Sequence, residues 1–85
     1  MTFKIEKSSR AGKTTIRLFG EIKSEHIDLI EAEMNDRGYQ IVLDLGEVGL
    51  VDVNVVRFLA ACETECIQLL HCSRYVREWM TREQE

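Results

Sequence analysis

Residues 2–7 alternate apolar and polar positions with Phe3 and Ile5 on one side, the two-residue period of a half-buried strand. Ser8 to Gly12 supply a polar turn, and a second alternation from Thr14 to Phe19 directs Ile16 and Leu18 to the same side. Two such runs joined by a short polar loop predict an antiparallel hairpin. The period then lengthens: Ile27, Ile30 and Met34 recur at helical spacing. Ser24 is placed to cap that helix, Glu25 and Asp28 suit the positive end of its dipole, and Gly38 suits a left-handed stop. Leu29 falls off the stripe and predicts a broader buried face.

The run Ile41 to Leu45, IVLDL, reads as a central strand. Following a helix, it implies a right-handed crossover into a parallel pair. A turn is expected around Gly46 and Gly49, after which Asp52 caps a second helix. Val55, Leu59, Cys62 and Cys66 share one stripe of that helix, with Val56 and Ala60 beside it. Ile67 to Leu70 predicts a fourth strand, and Ser73 caps a last helix reaching about Met80. The order ββαβαβα gives an α/β fold: one four-stranded mixed sheet with helices packed against it. No repeat or linker interrupts residues 1–85, so a single domain is expected.

Composition narrows the chemistry. A 45% hydrophobic and 31% charged chain is too apolar for disorder. The net charge of -4 and the scattered basic residues argue against nucleic acid, Arg74, Arg77 and Arg82 being the one loose grouping. Lys4, Glu6 and Lys7 break any apolar leader, and no run approaches the roughly 20 apolar residues of a membrane span. A protein without direct membrane insertion is expected. The 3 cysteines fit reduced thiols in a cytoplasm better than a disulfide framework.

Cys62, Cys66, His71 and Cys72 are the residues to weigh for a metal. They lack a tight Cys-x2-Cys knuckle, Cys62 lies on the core stripe, and neighbouring strand residues 71 and 72 point to opposite faces. Buried small hydrophobes, with no metal, are the expectation. His26 is expected to be exposed. Asp44 and Asp52 are explained by strand end and helix cap, and no Ser/His/Asp set or phosphate-binding glycine loop occurs. Tyr75, Trp79 and Met80 are expected to close the core. Neither catalysis nor a cofactor is predicted.

Three segments resemble the STAS family, the sulfate-transporter and anti-sigma-factor-antagonist modules. Leu18-Phe19-Gly20-Glu21-Ile22 is similar to the L-x-G-E-L/I that ends the family's second strand. Residues 43–52, LDLGEVGLVD, resemble its L-D-L-x-x-V-x-x-x-D, with Asp52 opening the next helix. The terminal SRYVREWM resembles its S-P-x-V-x-x-x-L helix. The resemblance implies a non-catalytic regulatory module that binds a protein at the start of the second helix, through Asp52, Val53, Asn54, Val55 and Arg57. In phosphorylated members a Ser or Thr follows the Asp, and a phosphate there switches the charge of the face. Here Val53 holds that position, followed by Asn54, Val55 and Val56 in place of Gly-Leu, so no serine switch is expected. The partner implied is an anti-sigma-factor kinase, or alternatively the ATPase of a lipid-transporting complex. A small-ligand or metal protein using Cys62, Cys66 and Cys72 is the reading from another class.

Overall fold

The computed structural model describes residues 3–35 and 40–83, so the expected stop at Gly38 lies outside the described residues. Strands β1 (Phe3–Arg10) and β2 (Lys13–Ile22) pair antiparallel from Phe3↔Gly20 to Arg10↔Lys13. The ladder runs further than the alternation suggested. Ser8, Ser9 and Arg10 belong to β1, and the turn is only Ala11-Gly12. Both turn residues are left-handed, with φ of 54° and 78°, the pairing that matches the twist of a hairpin. Hydroxyls keep the polar rungs satisfied: Ser9 Oγ and the buried Thr14 Oγ1 lie 3.0 Å apart.

After β2 the chain makes a short 3-10 turn, Ser24–His26, and then helix α1 (Ile27–Glu33). Lys23, not Ser24, stands at the head of this turn, and its amide donates to His26 Nδ1 at 3.0 Å. That bond and a stack on the Phe3 ring, centroids 4.0 Å apart, hold His26 half-buried where exposure was expected. Ile30 is fully buried, with Ile27 and Met34 packed against the core. Leu29, in contrast, is 55% exposed, so α1 buries one stripe rather than a broad face.

Strand β3 (Gln40–Val51) runs parallel to β2, and it is longer than expected because Gly46 and Gly49 do not turn the chain. The pairing passes from Arg17↔Asp44 to Phe19↔Glu47 and from Gly20↔Val48 to Glu21↔Leu50, so β3 carries an extra residue at each step. Glycine in a strand commonly marks such a bulge. The two insertions space the inward residues as Leu43, Leu45, Val48 and Val51, opposite Ile16, Leu18, Gly20 and Ile22 on β2. A strict two-residue period would have turned Val48 and Val51 away from each other's face.

Helix α2 (Val53–Thr64), strand β4 (Gln68–Leu70) and helix α3 (Arg74–Glu83) complete the chain. β4 pairs parallel to β3, giving the sheet order β1-β2-β3-β4. The molecule is thus an α/β fold with a four-stranded mixed sheet and three helices among the described residues. Val55, Val56 and Leu59 of α2, Val76 and Met80 of α3, and Ile30 of α1 join the inward strand residues in one core. Trp79 packs partly on that core, but Tyr75 is 55% exposed, its ring tilted against that of Trp79 with centroids 5.7 Å apart. Side chains on the other sheet face form ion pairs instead: Glu6 with Lys4 and Arg17, and Arg17 with Asp44. No described helix is long and apolar enough to cross a membrane.

Candidate functional site

The start of α2 is built around one carboxylate. Asp52 has extended backbone (φ -102°, ψ 176°), the geometry of a residue about to enter a helix, and its Oδ1 accepts from the Val55 amide at 2.9 Å. Its Oδ2 accepts from both the Ser24 amide and the Ser24 hydroxyl, each at 2.8 Å. The Asn54 side-chain amide then donates to Ser24 Oγ at 3.0 Å. Ser24 therefore caps no helix of its own. It ties the β2–α1 connection to the head of α2, and Asp52 and Asn54 grip it from two sides.

Desolvation pushes the Asp52 carboxyl upward, but the backbone amides of Val55, Ser24 and Asn54 and the Ser24 hydroxyl outweigh it. The group is held below its ordinary value of 3.8. It stays ionised, fixing the helix start by hydrogen bonds and by its charge on the dipole.

Of the residues expected at a binding face, Asp52, Val53, Asn54 and Arg57 retain surface. Val53 and Asp52 are partly exposed, and Asn54 and Arg57 are exposed. Val55 does not: at 1% exposure its side chain belongs to the core, and only its amide takes part in the cap. The reason lies in helix geometry, because Val55 shares a face with Leu59 and Cys62. Arg57 is half-committed, its Nε donating to Glu83 Oε1 of α3 at 2.9 Å. Leu50, two residues before Asp52 and 51% exposed, adds an apolar group that the sequence reading missed. Its signal was the bulge at Gly49, which turns Leu50 outward and the next residue, Val51, inward.

The cysteines do not converge. Cys62 is buried in α2, Cys66 is exposed beyond the helix end at φ 68°, and Cys72 is half-buried under α3. The expected burial of Cys66 fails because the chain turns left-handed there and leaves the stripe. Burial pushes the Cys62 thiol up to about 12 and also raises Cys72. Among the described residues no three His, Cys, Asp or Glu side chains gather to hold a metal. His71 instead contacts Asp44, Nδ1 to Oδ1 at 3.0 Å. Desolvation raises the Asp44 carboxyl, but the Gly46 amide, His71 and Arg17 bring it below its ordinary value.

No protein-family model matches the chain, and no curated protein matches it. The STAS resemblance therefore rests on the residue patterns themselves.

Proposed function

We propose that this chain is a cytoplasmic, non-catalytic STAS-like interaction module, acting in the manner of an anti-sigma-factor antagonist but without a serine switch. The observation that carries the proposal is the fixed head of α2. Asp52, Ser24 and Asn54 lock its first turn, while Val53 and Arg57 remain open to a partner. A preorganised face loses little conformational freedom on binding. Val53 contributes apolar contact, Asn54 a polar edge, and Arg57 a charge that can exchange Glu83 for a partner carboxylate. No hydroxyl occurs from residue 50 to residue 57, so this stretch offers a kinase no acceptor.

The test is a calorimetric titration against an anti-sigma-type kinase and, for the alternative reading, against a lipid-transporter ATPase. Val53→Asp and Arg57→Glu are each expected to weaken binding by about 2 kcal/mol or more, as a central interface residue does. Thermal stability should change little with Arg57→Glu, because an exposed ion pair contributes at most about 1 kcal/mol. Unchanged affinity in both variants would remove the α2 head as the working surface. Label from ATP appearing in the 50–57 peptide would remove the phosphorylation-independent reading.

A further inference from the structure

A second surface lies at the other end of α2. An open groove of about 560 Å³ runs between α1 and the C-terminal half of α2, from Asp28 in the first turn of α1 to Met34 at its end. Met34, Phe58 and Ile67 give it an apolar lining, and Asp28, Glu31 and Glu65 add three carboxylates. Among the described residues no cation pairs with any of those three.

The backbone adds to the field. Each of these helices links one strand to the start of a parallel neighbour, so α1 and α2 run in the same direction. Their negative dipole ends meet at the groove, and neither helix carries a basic residue in its last turn. The Cys62 thiol, on the groove wall, feels the result: beyond burial, Glu65 and Glu31 push it further up.

We propose that this groove is a docking surface for a lysine- or arginine-rich amphipathic helix of a partner protein. Its apolar side chains would seat against Phe58 and Ile67, and its cations would meet Asp28, Glu31 and Glu65. Two parallel helices make a trough into which a third can lie along its apolar stripe. Charge complementarity selects the cationic partner, since an acidic segment would face three carboxylates and two helix C-termini. The chain's own basic helix is a poorer occupant, because Arg74 and Arg77 of α3 already pair with Glu78 and Glu63.

The experiment titrates the whole chain with a fluorescent peptide of about 14 residues, long enough to fold on contact, carrying a leucine stripe flanked by lysines. A version with glutamates in place of the lysines is the control. The lysine peptide is expected to bind, more weakly as salt rises, and the glutamate peptide is not. Glu31→Lys combined with Glu65→Lys should weaken binding at least about tenfold, and the Gln pair should give an intermediate loss. Both residues are exposed, and circular dichroism checks that the variants keep the fold. Val53→Asp, at the opposite end of α2, should leave the titration unchanged. Amide shift changes should centre on residues 28–35 and 58–67. No binding by the lysine peptide, equal binding by the glutamate peptide, indifference to charge reversal, or shifts centred elsewhere would each overturn the proposal.

Discussion

The two oxygens of Asp52 serve different parts of the chain: one holds the Val55 amide of its own helix, the other holds Ser24 from 28 positions earlier. Removing the carboxylate therefore costs more than a lone cap. Asp52→Ala is expected to lower stability by about 1–2 kcal/mol, the upper part of the range for a cap, because Ser24 also loses its acceptor. The pH dependence has a definite sign. A carboxyl held below 3.8 in the folded chain stabilises it fully above that value, and the contribution is lost as pH falls through the lower folded value. Melting temperature measured down through the acid range should fall less steeply for Asp52→Asn than for the parent chain. Asp44, held low by Gly46, His71 and Arg17, adds acid sensitivity of the same sign in both proteins.

Among the elements, the β1–β2 hairpin carries a correctable defect. Ala11 sits at φ 54°, where a Cβ crowds the backbone and glycine does not. Ala11→Gly is expected to raise stability by about 0.5–1 kcal/mol, the relief of strain being partly offset by the freer unfolded chain. A chemical-denaturation midpoint checks it. The hairpin and the helices were legible because their periods are local: Ile16 with Leu18 and Leu59 with Val55 obey them without help from elsewhere. β3 was legible only to Leu45. Beyond it the spacing Leu45, Val48, Val51 follows neither period, since two bulges each insert a residue, and glycines that read as turns in fact keep a strand in register. Cys66 misled for a related reason: its stripe position presumes a helix that has already ended.

For the molecule as a whole, one sheet face holds the main core, and the other sets ion pairs around Phe19 and the buried Val42. The hydrophobic pattern predicts that division, but not which polar groups meet on the open side. The candidate site divides in the same way. Asp52 as a cap can be read from the residues beside it, whereas its hold on Ser24 spans the β2–α1–β3 crossover and no local pattern contains it. Val55 was assigned both to the core stripe and to the binding face, and burial decides for the core. The Ser24–Asp52 contact also orders events in time. The hairpin closes across a two-residue turn, but Asp52 is expected to reach Ser24 only after α1 has crossed and β3 has settled beside β2, since such long loops close slowly. An interaction made after the rate-limiting step leaves refolding untouched and is felt on the way out. In stopped-flow experiments, Asp52→Ala should carry the Ser24 share of its lost stability as faster unfolding, whereas the Val55 share, local to one helix turn, is free to act on refolding as well. The carboxylate that positions α2 then acts as the latch that sets how long the folded chain lasts.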